Sequence, residues 1–150
     1  MSICVMEMTE RNLDAVLGIE NLSFASPWSK NSFLYELQEN KRAVYLAASE
    51  EERIIGYIGM WVILDEGHIT NLAVHPDYRR HGVAWRLIET LTVTAADRGL
   101  ARLTLEVRRT NFTAQQLYLK AGFVSAGVRP RYYKDNDEDA LIMWKTLEIT

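Results

Sequence analysis

Arg79-Arg80-His81-Gly82-Val83-Ala84 follows the apolar run Ile69-Thr70-Asn71-Leu72-Ala73-Val74 and opens an amphipathic stretch. Three signals meet there: a strand, a turn marked by Pro76 and Asp77, and a helix N-terminus. The first helical N–H groups at such a junction lack intrahelical partners and point one way, with the positive end of the helix dipole behind them, which suits a phosphate or pyrophosphate. Gly82 lets an anion reach the backbone where a Cβ would stand in the way. The loop is neither a Walker loop nor the three-glycine dinucleotide pattern, and an ordinary structural turn remains open. Glu106, ending the run Leu103-Thr104-Leu105, is a second candidate. A carboxylate on a strand buried on both faces must be paired or open to a cleft, and ligands bind at the C-terminal ends of parallel strands. A salt bridge to a neighbouring arginine is the alternative. Tyr118, between Leu117 and Leu119, is as open to a core role as to a catalytic one.

The elements that must position these residues alternate along the chain. A short strand at 3–8 is followed by a helix capped by Thr9 and carrying Leu13, Val16, Leu17 and Leu22; Ser26-Pro27 opens a second with Phe33, Leu34 and Leu37. Strands at 43–48 and 53–63 flank the acidic turn Ser49-Glu50-Glu51-Glu52, and a turn at 65–67 leads into a strand at 68–74. Ala84, Leu87, Ile88, Leu91 and Ala95 then recur at helical spacing until Gly99. A strand at 102–107, a helix at 111–120 ended by Gly122, and strands at 123–125 and 140–145 complete the order. Strand-helix-strand units through the middle imply parallel pairing in a layered α/β domain spanning residues 1–150.

Composition sets the frame. With 48% hydrophobic and 25% charged residues the chain reads as soluble and globular. No apolar run approaches the ~20 residues that cross a bilayer, and Met1-Ser2-Ile3-Cys4 shows no secretory pattern, so a cytoplasmic protein without a membrane partner is expected. Cys4, the single cysteine, reads as a buried or inert thiol. A net charge of −3 argues against direct nucleic-acid binding, with Arg79-Arg80 and Arg108-Arg109 as local exceptions that could face phosphates. His68, His75 and His81 have no ligand spacing, so no metal is expected.

Arg79-x-x-Gly82-x-Ala84 after Leu72-Ala73-Val74-His75-Pro76 resembles the acyl-CoA pyrophosphate loop of the GNAT N-acetyltransferases. The element order is similar to that family over nearly the whole chain. Four patterns look like its RimI-type branch, which acetylates the N-terminal alanine of a small-subunit ribosomal protein. They are Pro27-Trp28-Ser29, the segment 71–84, Leu105-Glu106-Val107-Arg108 with Asn111 and Leu117-Tyr118, and Arg131-Tyr132-Tyr133. Ala84, where many relatives carry glycine, and Pro130, inside the expected peptide-binding loop, depart from the pattern.

The resemblance implies a GNAT fold, a mixed central sheet with a parallel core flanked by helices, and acetyl-CoA as co-substrate. Acetyl-CoA would thread between the third and fourth main strands, its pantetheine on the backbone of Leu72, Ala73 and Val74, with an N–H near Val74 steadying the oxyanion. Arg79, Arg80, His81, Gly82, Val83, Ala84 and Trp85 would surround the pyrophosphate end, and Asn111 would serve as CoA contact, helix N-cap, or both. Glu106, its pKa raised by burial, would take the proton from an α-ammonium of pKa ~8. Tyr118, a phenol of pKa ~10, would return one to the leaving thiolate. Trp28, Tyr132 and Tyr133 would contact the acceptor, a protein N-terminus. The acidic run Asp135-Asn136-Asp137-Glu138-Asp139 reads as a solvated hairpin loop. The same chemistry on lysine or a small amine, and a non-catalytic acyl-CoA-binding module, are the competing readings.

Overall fold

The computed structural model describes residues 2–147. Seven strands form one sheet in the order β1-β2-β3-β4-β5-β7-β6: β1 (Cys4–Glu7), β2 (Ala43–Glu50), β3 (Arg53–Ile63), β4 (Glu66–Val74), β5 (Arg102–Arg108), β6 (Val124–Tyr133) and β7 (Glu138–Thr146). Four helices join them: α1 (Leu13–Ser23), α2 (Lys30–Gln38), α3 (Val83–Asp97) and α4 (Phe112–Lys120). Side chains alternate across the pleat, so each central strand feeds two cores. Ile55, Ile58 and Met60 of β3 meet Val83, Leu87, Ile88 and Leu91 of α3 in one core; Ile54 and Tyr57 meet Leu13, Val16, Ile19 and Phe33 of α1 and α2 in the other. Each such side chain removed from water contributes about 1.5–3 kcal/mol, which seats the helices.

Among the described residues only one neighbouring pair of strands is parallel. β4 and β5, joined through α3, pair at Glu66↔Arg102, Gly67↔Leu103 and His68↔Thr104, whereas all other neighbours are antiparallel. The expected run of parallel strands fails after β5, because β7 returns antiparallel between β5 and β6. The second helix also starts later than Ser26-Pro27: the Ser29 hydroxyl accepts from the Ser32 N–H at 3.1 Å and caps α2. Leu22 is 61% exposed, off the apolar stripe of α1, and Cys4 is an exposed free thiol rather than a buried one. β6 is far longer than the segment 123–125, and its sequence hides this because nearly all its residues are exposed.

Two of the register shifts in the sheet bear on the site, one in its middle and one at its edge. In β4 the register steps from Met60↔Ile69 to Gly59↔Asn71, so Thr70 has no β3 counterpart. In β6 it steps from Arg129↔Ala140 to Tyr133↔Glu138, so Pro130, Arg131 and Tyr132 stand opposite Asp139 alone. Pro130 lacks an N–H, and Arg131, with φ +51°, turns its own N–H to the Asp139 carboxylate at 3.0 Å. The first bulge is packed without slack: a Cβ on Gly59 would lie 2.2 Å from the Tyr45 ring and 2.7 Å from Asn71 Oδ1. Gly59→Ala is therefore expected to destabilise the fold by about 1–3 kcal/mol, the range for overpacking, read as a lower denaturation midpoint at unchanged slope.

Candidate active site

β4 and β5 run together only as far as His68 and Thr104, and residues 69–74 and 105–108 have no pairing between them. The bulge at Thr70 raises the local twist and turns β4 away, leaving a wedge walled partly by free backbone edges. This is the gap between the third and fourth main strands, β1 not counted. At the β4 end of the wedge, Leu72, Ala73 and Val74 lead through a 3-10 turn, Pro76–Tyr78, to the N-terminus of α3. Gly82 is the N-cap of α3 at φ +78°, with no atom within 4 Å of where a Cβ would be. Open space therefore lies over the unpaired first N–H groups of a 15-residue helix. Arg80 (φ +67°) and His81 flank it as exposed side chains, while Arg79 donates through Nε to the Val74 carbonyl at 3.2 Å. The amide nitrogen of Asn71 is buried with no hydrogen-bond partner among the described residues. A free backbone edge leading to an anion-binding helix start fits an extended ligand that carries a phosphate or diphosphate.

Glu106 stands on the opposite wall. Leu103, Leu105 and Val107 of β5 point into the α3 core, so Glu106 and Thr104 face the other way. The strand is thus not buried alike on both faces, and it continues two residues past Glu106, to Arg108. The Glu106 side chain is 10% exposed; Oε2 lies 2.5 Å from His68 Nε2, and Oε1 lies 3.6 Å from Arg129 Nε. The partners are His68 and Arg129, not the adjacent arginines. Burial pushes the carboxyl pKa up, but the hydrogen bond and charge of His68, with Arg129 and the backbone, outweigh it and leave the pKa below its ordinary value. The expected upward shift is reversed.

Glu106 acts electrostatically on Tyr132 and Tyr133, and Tyr133 on Tyr118, which itself packs in the α3 core with Leu105 and Val107. Tyr118 is a buried residue of α4, its ring 5.7 Å from Phe123, and burial raises its phenol pKa well above the ordinary value. Its hydroxyl makes no hydrogen bond among the described residues. Tyr133 is pushed up to about 12 by burial, against the pull of Arg108. Asn111 caps α4, its Oδ1 accepting from the Ala114 N–H at 3.2 Å.

The acidic run is not a free solvated loop. Arg108 is held by Asp135 at 3.0 Å and Glu138 at 3.4 Å, Arg109 by Asp139 at 3.3 Å, and Thr110 N–H donates to Glu138 at 2.8 Å. The Thr110 hydroxyl and N–H keep the Glu138 carboxyl down at about 2. Arg108 also lies 4.0 Å over the Tyr133 ring. Both arginines are engaged by carboxylates, and the β6–β7 turn is tied to the β5–α4 loop.

Trp28 sits between α1 and α2, on the sheet face opposite α3. Its N–H donates to Glu20 Oε2 at 2.8 Å, and its ring lies 5.3 Å from Phe33. Sequence reasoning passes over Glu20 and Glu36, which are 2% and 5% exposed, and over His68. The Tyr57 hydroxyl donates to Glu20, and Glu36 accepts from Tyr45, Trp61 and Asn40. The signal was available: Glu20 falls seven residues after Leu13 and Glu36 three after Phe33, each in the apolar stripe of its helix.

The sequence model of the acetyltransferase (GNAT) family matches residues 13–123. The chain belongs to the GNAT family. It is 43% identical over 143 residues to a putative ribosomal protein bS18-alanine N-acetyltransferase of Bacillus subtilis, covering 95% of each chain. It is 36% identical over 144 residues to the ribosomal protein bS18-alanine N-acetyltransferase of Escherichia coli, again covering 95% of each. The crystal structure of the ribosomal-protein-S18-alanine N-acetyltransferase from Escherichia coli superposes with a TM-score of 0.90 at 32% identity, over 99% of this chain and 96% of that one. As a GNAT enzyme the chain is an N-acetyltransferase that uses acetyl-CoA as co-substrate. Among the described residues no group of three or more His, Cys, Asp or Glu could hold a metal ion, and no helix is long and apolar enough to cross a membrane.

Proposed function

We propose that this single domain acetylates the free α-amine of a protein N-terminus, the N-terminal alanine of a small-subunit ribosomal protein, in the cytoplasm. The observation that carries the reading is the Glu106–His68 pair where β4 and β5 part, facing Tyr132 and Tyr133. The likeness to bS18-alanine N-acetyltransferases over nearly the whole chain supports the acceptor. Acetyl-CoA supplies the thioester carbonyl that the amine attacks. Leu72, Ala73 and Val74 offer backbone to its pantetheine, and Gly82 with the N–H groups of α3, flanked by Arg79, Arg80, His81, Val83, Ala84 and Trp85, receives its diphosphate. His68 holds Glu106 Oε2, and Oε1, 3.6 Å from Arg129 Nε, takes a proton from the acceptor ammonium, directly or through a water. Tyr118 keeps its proton throughout the neutral range and delivers it to the departing sulfur. Trp28, Tyr132 and Tyr133 orient the peptide.

Acetylation of an alanine-initiated peptide carrying an internal lysine, read by mass spectrometry, tests the acceptor. The mark is expected on the α-amine. An N-terminally blocked copy that reacts as fast, or reaction with small polyamines alone, would overturn the peptide reading while leaving the acetyltransferase intact. The pH profile follows from the direction of the Glu106 shift. Its carboxyl is already ionised at neutral pH, so the proton that limits the rate is on the acceptor, with pKa ~8. kcat/KM is expected to fall about tenfold per pH unit from 7.5 to 5.5, with no separate inflection from Glu106 in that window.

A further inference from the structure

Arg129 shares a face of the sheet with Glu106. It pairs with Ala140 of β7, Ala140 pairs with Arg108 of β5, and Arg108 is two residues past Glu106, so the register turns Arg129 and Glu106 to the same side, away from α3. Arg129 Nε lies 3.6 Å from Glu106 Oε1, while His68 holds Oε2. Arg129 forms no other ion pair among the described residues, and its guanidinium carbon stands 5.9 Å over the Tyr132 ring. The Arg129 side chain is 57% exposed against 10% for Glu106, so the pair couples a buried anion to a cation that solvent reaches.

An acceptor ammonium that gives its proton to Oε1 directly must come within about 3 Å of that oxygen. It then meets a like charge. The carboxylate favours the ammonium, which cannot attack a thioester, whereas Arg129 favours the neutral amine, which can. The other groups around Glu106 are accounted for: His68 of β4 holds Oε2, and Arg108, further along β5, is engaged by Asp135 and Glu138. Burial above all raises the phenol pKa of Tyr132 and of Tyr133 on β6, so both stay neutral below about pH 9.

We infer that Arg129 is a specificity-determining residue of the acceptor site, whose charge sets the bound amine in its neutral, nucleophilic form. The inference rests on the peptide-acceptor reading and the role of Glu106 given above. Arg129→Gln removes the charge from an exposed side chain at the sheet margin, and Arg129→Lys keeps it; thermal melts check that both fold. Single turnover of bound acetyl-CoA at varied concentrations of an alanine-initiated peptide, from pH 6 to 9, gives two quantities. The rate constant at saturating peptide reports the amine in the complex, and its ratio to the half-saturating concentration reports the free amine. In Arg129→Gln the inflection of the saturating rate constant is expected about 0.5–1 pH unit higher. At pH 7 that rate constant and the half-saturating concentration should therefore fall together, by about three- to tenfold, while their ratio keeps its inflection at the free amine's pKa of ~8. Glu106 stays ionised in the variant, because against burial, which raises its pKa, His68 still pulls it down. Arg129→Lys should lie nearer the parent than Arg129→Gln does. An unmoved inflection in folded Arg129→Gln would overturn this inference alone, as would a half-saturating concentration that rises, or a lysine variant that behaves as the glutamine one. If no alanine-initiated peptide is acetylated at all, the acceptor reading falls and this inference falls with it.

Discussion

Glu106→Gln is expected to lower kcat by ~10²–10⁴-fold near neutral pH while acetyl-CoA affinity is retained, the range for loss of a general base. The amide has the shape of the carboxylate and can still bond His68 Nε2, which now lies 2.5 Å away, so the β4–β5 junction should persist. What it lacks is a basic oxygen for the acceptor's proton. Calorimetric titration of acetyl-CoA and steady-state thiol release separate the two effects. Turnover near that of the parent enzyme at pH 7 would remove Glu106 from the proton transfer.

Gly82→Val should raise the Kd for acetyl-CoA by ~10²-fold or more, equivalent to about 2.7 kcal/mol. Two causes combine. The N-cap of α3 has φ +78°, a region in which a β-branched residue is strained by about 1–3 kcal/mol. The new side chain would also fill the open space over the first N–H groups, where the diphosphate must sit. Gly82→Asn separates the two, because asparagine tolerates this conformation yet still fills the space. It should also bind acetyl-CoA weakly in a chain whose melting is near normal. Unchanged affinity in folded Gly82→Asn would sink the assignment of the loop.

The parts of this enzyme that are legible in one sequence are those fixed by local chemistry. The β4-turn-α3 unit shows itself through Pro76, Gly82 and a 3.6-residue apolar period, and Asn111 through its place before α4. The environment of Glu106 is not local. His68 and Arg129 lie 38 and 23 positions away, and only the register of β4 against β5, with the return of β7 and β6, brings them to the carboxylate. Without those partners burial alone would set the pKa, which is why the sequence suggests the wrong sign. The acidic run misleads for the same reason, since Arg108 and Arg109 reach it from the end of β5 and the loop that follows. Glu20 and Glu36 belong to neither class: their helical phase marks them as buried, but nothing local says which donors receive them.

The bulge in β6 bears on how copies of this chain meet one another. β6 is one of the two margins of the sheet, and an unbroken strand there would template a neighbour, whether a second copy or an unfolded segment. Pro130 removes one donor from that margin, Arg131 turns another inward to Asp139, and three residues crowd against one. Such a margin resists edge-to-edge zipping, and so it protects against aggregation. On the reading proposed above, an acceptor at this hairpin would meet side chains, Tyr132 and Tyr133 among them, rather than an open ladder, and its recognition would be by side chain and not by strand addition.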